Sequence, residues 1–183
     1  SDTRPDTSGA EEVLYNASFL FVLQYGSPTE AKAACESLQD QGYTAAPDAY
    51  LPPVESPSGA SASASSHNSW GVASSGFDAF IDQYAAALTG HALVAVVDTG
   101  VDDSVPALSG RVINGQDFVD GDSDPDDEHY HGTHVASTIL DCVGDLDVDI
   151  LAERVLDENG EGATSQVVSG IVDATAQGAD IIN

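Results

Sequence analysis

The run LVAVV at residues 93–97 passes without a break into DTG at residues 98–100. Five consecutive apolar residues leave no polar face, so the run predicts a strand covered on both sides, as in a parallel sheet. Open α/β sheets carry their reactive groups at the carboxyl ends of strands, which is where Asp98 falls. A carboxylate ahead of a glycine is equally the mark of an ordinary turn, so position alone assigns Asp98 no chemistry. DTG also occurs in aspartic proteases. That chemistry needs an all-β fold and a second matching Asp loop, and neither is visible.

Working outward, helices alternate with strands. Phe77, Phe80, Ile81 and Tyr84 recur at helical spacing and predict an amphipathic helix over 76–88 with its aromatic face in the core. A short strand is expected over 111–118, an acidic stretch over 117–128, and a helix opening at His131 and running to about 140. A third strand spans 148–155. A helix over 165–177, capped by Thr164 or Ser165 and closed by Gly178, leads into a fourth strand at 179–183. This alternation defines an α/β fold, a parallel sheet with flanking helices. Towards the N-terminus, residues 19–25 (FLFVLQY) read as a strand. Thr29 caps a helix over 30–40, Gly42 ends it, and residues 43–50 return as a second strand. The first fifty residues thus read as a small β-α-β segment. Residues 56–69 are nearly all Ser, Ala and Gly, a flexible linker in which His67 is incidental.

Composition limits the partners. Thirty-one Asp and Glu face four Lys and Arg, a formal net charge of −27. Such a surface excludes nucleic acid and anionic membrane, and favours cations or basic substrates at low salt. Self-repulsion predicts stability that rises with ionic strength. No apolar run approaches the roughly 20 residues needed to cross a bilayer. The two cysteines, Cys35 and Cys142, fall in different modules and read as free thiols.

His131 and His134 stand three apart in HGTHVAS, residues 131–137. A zinc protease would need a third ligand and a Glu near the histidines, whereas Gly132 and Thr133 lie between them. Gly132 lets the chain turn tightly into a helix, with His131 at its mouth. A histidine there beside a buried carboxylate suits general-base chemistry. His134, one turn further on, reads as structural. The acidic stretch places Asp120, Asp122 and Asp124 as an EF-hand loop would. Pro125 stands at the obligatory glycine and His131 at the bidentate Glu, so it is not one. A looser calcium site at Asp122, Asp124 and Asp126 is the metal expectation, and no cofactor is required.

AVVDTGVD at residues 95–102 and HGTHVAS together resemble the catalytic Asp and His motifs of the subtilisin-like serine proteases (subtilases). The acidic lead-in at 110–127 and the segment 155–183 are similar to the family in the same order. The resemblance covers 70–183; Ser137 departs from it, standing where the family usually has Gly. The order Asp, His, Ser is that of the subtilisin type. The resemblance implies that Asp98 orients His131, that His131 is general base and acid, and that Gly160, Glu161 and Gly162 pair with substrate backbone. Glu161 there would favour a basic substrate residue. It further implies that the oxyanion Asn and nucleophilic Ser lie beyond Asn183, in a C-terminal remainder of the same precursor or a companion chain.

Residues 1–55 then read as a propeptide or N-terminal extension, 56–69 as the linker, and 70–183 as the N-terminal half of a catalytic domain. The protein expected is a secreted or cell-surface endopeptidase acting on peptides or proteins, inactive as this segment alone. The alternatives are a pseudoprotease or regulatory module, and an acidic cation-binding domain.

Overall fold

The computed structural model describes residues 5, 7, 9–10, 12–16, 21–53 and 70–183. The 56–69 linker lies outside them. The chain forms two units, Ser1–Ala49 and Tyr50–Asn183.

In the first unit, β1 (Glu12–Asn16) and β2 (Phe21–Gln24) pair antiparallel and lead into α1 (Pro28–Asp40). The helix is capped by Ser27 rather than by Thr29. The Ser27 hydroxyl accepts the Glu30 N–H at 3.3 Å and donates to the Glu30 carboxylate at 2.9 Å. Gly42 ends the helix with φ +89°, the left-handed position that glycine occupies without strain. The expected β-α-β is therefore corrected to β-β-α. Residues 43–49 form no strand, because β1 already pairs with β2 and Pro47 has no N–H to offer a ladder.

The second unit is built on a four-stranded parallel sheet in which Val112–Asp117, Val148–Arg154, Ala92–Asp98 and Ile181–Ile182 lie side by side in that order. Its strands are β4 (Ala92–Asp98), β5 (Val112–Asp117), β6 (Val148–Arg154) and β8 (Ile181–Ile182). In β4 the side chains alternate between two cores, which explains the unbroken apolar run. Val94 and Val96 face α4 (His131–Val143) with Ala136, Leu140 and Ile150. Ala95 faces α5 (Thr164–Ala176) with Leu151 and Ala174. Each fully buried Ile or Leu of this kind contributes about 1.5–3 kcal/mol. The α5 N-terminus uses neither Thr164 nor Ser165 as its cap residue; Ala163 stands there, its N–H bonded to the Gln166 side chain at 2.7 Å.

Arg111 donates to the carbonyls of Gly144, Leu146 and Val148, tying the end of α4 to the start of β6. Two further helices, α2 (Trp70–Ser75) and α3 (Phe77–Tyr84), precede the sheet. The helical period of α3 is as expected, but its aromatic face is not core: Phe77, Phe80 and Tyr84 are each more than 40% exposed. Cys35 and Cys142 are free.

One short pairing has no counterpart in the sequence reading. Strand β3 (Tyr50–Leu51) lies antiparallel to β7 (Gly162–Ala163), with Tyr50 opposite Ala163 and Leu51 opposite Gly162.

Candidate active site

Asp98 ends β4 and His131 opens α4. The two meet because Gly132 allows the first turn of α4 to lie against the loop after β4. A Cβ on Gly132 would run into the Gly100 carbonyl oxygen and come within 3.3 Å of the Asp98 Cβ. At Gly100, φ is +101° and the Pro125 and Asp126 carbonyl oxygens close in to 2.6 Å of where a Cβ would sit. Glycine is required there on both counts.

The imidazole Nδ1 of His131 lies 2.8 Å from Oδ1 of Asp98. The same Oδ1 accepts the Thr99 N–H at 2.7 Å. An ionised carboxylate only accepts, so Nδ1 carries the hydrogen and Nε2 is left with its lone pair. Asp98 is 9% exposed, while the His131 side chain keeps 24% of its surface open. One partner is anchored and the other is presented. The Asp98 carbonyl accepts the N–H groups of Val155 and Leu156, binding the loop after β6 to the same place.

That loop is shaped by Asp157. Its carboxylate accepts the N–H groups of Asn159 and Glu161, and Gly160 bonds back to its carbonyl. Burial raises the Asp157 pKa, and these N–H donors more than offset it, leaving the group below its ordinary value. Gly160 has φ +73° and sits in the turn with Glu161. Of the three residues expected to pair with substrate backbone, Gly162 alone lies in a strand, joined there by Ala163. A Cβ on Gly162 would strike the Val155 carbonyl and the Leu156 side chain at 2.9 Å. The Glu161 side chain is half-buried.

The acidic stretch finds its cation within the chain. Arg154, at the end of β6, donates to Asp117 and Asp120 at 2.6 Å and to Glu128 at 2.7 Å. Burial disfavours the charge on Arg154, but the hydrogen bonds to Asp117 and Asp120 reverse this and push its pKa above the ordinary value. Among the described residues no three His, Cys, Asp or Glu gather as a metal site. Asp122, Asp124 and Asp126 in particular do not converge: the Asp122 carboxylate is folded onto the Asp124 N–H and all three residues are exposed. As folded here, the three carboxylates form no cluster that would hold a calcium ion.

The sequence reading missed Arg154 and also Asp127, whose carboxylate accepts the Thr133 N–H in the first turn of α4. The charged residues that close the apolar run Ile150–Ala152 in β6 were the available signal for Arg154. Asp127 had none, being one carboxylate among many.

The parallel sheet thus carries an Asp–His pair at the carboxyl end of β4, with Asp before His in the chain. The model of the Subtilase family matches residues 90–183, just over half of the chain, and the chain belongs to it. The "Thermophilic serine proteinase" of Bacillus sp. (strain AK1) is 44% identical over 98 residues, a match covering 49% of this chain and 24% of the relative. "Thermitase" of Thermoactinomyces vulgaris is 41% identical over 100 residues, covering 50% and 36%. The crystal structure of a cold adapted subtilisin-like serine proteinase is 39% identical, with a TM-score of 0.43 and coverage of 51% and 35%. The chain thus spans only about a quarter to a third of these relatives' length. Among the described residues no helix is long and apolar enough to cross a membrane.

Proposed function

We propose that this chain supplies the Asp and His of a serine endopeptidase that hydrolyses peptide bonds by an Asp-His-Ser mechanism. The observation that carries the reading is the 2.8 Å contact from His131 Nδ1 to Asp98 Oδ1 at the carboxyl end of β4. His131 Nε2 takes the proton of a serine hydroxyl as it attacks the scissile carbonyl, and returns it to the leaving amine. Asp98 fixes the tautomer and stabilises the imidazolium between those steps. The serine and the oxyanion Asn come from the C-terminal remainder of the protease, in the same precursor or a companion chain. On this reading the 183-residue chain has no turnover of its own, and the complete protease is secreted or displayed at the cell surface.

The β3–β7 pair supports the substrate assignment. An extended segment already lies antiparallel on Gly162–Ala163, the geometry in which a sheet edge takes up a peptide. Residues 1–55 act as a propeptide, with Tyr50 and Leu51 holding that edge. Glu161, in the adjoining turn, favours a basic residue in the substrate.

The test uses the complete protease and a serine-directed fluorophosphonate together with a peptide substrate. Labelling and hydrolysis are expected, both are lost in His131→Ala, and Asp98→Asn lowers kcat by about 10⁴-fold. A folded complete protein that neither labels nor hydrolyses any peptide overturns the reading in favour of a pseudoprotease.

A further inference from the structure

We propose that Asp127 is the positioning residue that sets His131 against Asp98; the inference rests on the reading of that pair as catalytic. Its carboxylate accepts five hydrogen bonds. Oδ1 takes the Thr99 hydroxyl at 2.9 Å and the N–H groups of His129 at 2.9 Å and Tyr130 at 2.8 Å. Oδ2 takes the N–H of Thr133 at 2.9 Å and its hydroxyl at 2.5 Å. An ionised carboxylate has no hydrogen to give, so both threonine hydroxyls must point at it, which fixes where their lone pairs face. Each lone pair is used. Thr99 Oγ1 accepts the Gly132 N–H at 2.9 Å, and Thr133 Oγ1 accepts the Asp102 N–H at 3.0 Å.

These bonds fall on the immediate neighbours of the pair. Thr99 follows Asp98; Tyr130 precedes His131 and Gly132 follows it. Two crossed ties, Thr99 to Gly132 and Asp102 to Thr133, join the loop after β4 to the first turn of α4, and Asp127 orients both. The helix has no side-chain cap at its own N-cap residue. Its second and third N–H groups, those of Gly132 and Thr133, are satisfied instead by Thr99 and Asp127. Tyr130 has φ +92°, the one non-glycine residue with positive φ among those described. A backbone state of that kind is strained for a residue with a Cβ and persists where its surroundings over-determine it. Here the Asp127 bond to the Tyr130 N–H and the stacking of Tyr130 on His129, 4.7 Å between ring centroids, hold it. Without them the residue ahead of His131 relaxes and the imidazole swings.

Asp127→Asn keeps the shape but sets an NH₂ where donors need acceptors. In the complete protease we expect kcat to fall about 100-fold, the scale of a 1 Å misplacement, with KM within about 3-fold of wild type. The low-field proton resonance of the His131 Nδ1–H broadens in the same variant. Thr99→Val reproduces the loss of kcat, and Thr99→Ser, which keeps the hydroxyl, recovers at least about 10-fold over it. A folded Asp127→Asn with wild-type kcat and an unchanged low-field proton overturns the proposal. Should that variant not fold, equal kcat in Thr99→Val and Thr99→Ser overturns it. If wild type neither labels nor turns over, the endopeptidase reading fails, and the low-field proton alone still decides the role of Asp127.

Discussion

Glu153 is fully buried near the end of β6, under α5. Its carboxyl accepts the Gln116 N–H at 3.0 Å and the Gln177 side chain at 3.2 Å. Burial pushes its pKa up to about 8; the Gln116 N–H pulls the other way, and the nearby charge of Asp173 adds to the rise. The folded state therefore holds a proton that the unfolded chain has released. Stability from this group is complete below the unfolded value of 4.5 and drains away as pH rises towards 8. Glu153→Gln should flatten that decline, the gain over wild type growing across the window to the order of a few kcal/mol. Urea unfolding at pH 5 and pH 8 checks it, and parallel curves for the two proteins would refute the buried, protonated Glu. At this scale the Asp98–His131 pair was legible in the sequence, because each residue sits in a short run whose neighbours are constrained. Arg154 and Asp127 were not. The seven carboxylates of residues 117–128 look alike in sequence, and only folding selects Asp117 as the buried partner of Arg154 and Asp127 as the acceptor at α4.

Helix α4 is placed by contact, not by its own capping. With Gly132 pressed on the Gly100 carbonyl, Gly132→Ala must move the first turn of the helix or the loop after β4. An overpacked site of this kind costs about 1–3 kcal/mol, and the shift carries His131 with it. The expected outcome is a lowered urea midpoint and, in the complete protease of the proposed function, a kcat reduced more than KM is raised. A wild-type kcat in a destabilised but folded variant would show that the loop, not the helix, yields. The order of strands and helices in residues 92–183 was readable because its periods are strong. The partner of each apolar face was less so. A helical repeat of Phe77, Phe80 and Tyr84 announces one apolar side without saying what covers it, and here that side stays open. The pairing of β3 with β7 joins residues more than a hundred positions apart through two residues each. Nothing in the local pattern of either segment signals it.

Across the whole chain the formal charge is −27, and the two basic residues of the second unit, Arg111 and Arg154, are both committed to internal hydrogen bonds. The remaining carboxylates repel one another over a screening length of about 10 Å at 0.1 M salt, falling to about 3 Å at 1 M. The thermal midpoint should therefore rise by roughly several degrees between 0.05 and 1 M KCl. An unchanged midpoint would mean that the self-repulsion is already neutralised. On the proposed function, in which β7 takes up substrate, the β3–β7 pair has a kinetic consequence for the complete protease. Because Tyr50 and Leu51 belong to the same chain as the edge they occupy, they compete at an effective concentration on the order of millimolar, however dilute the protein. A peptide that binds the edge more weakly than this meets it mostly filled. Progress curves would then begin with a lag whose length does not depend on enzyme concentration, set by how fast the resident segment leaves.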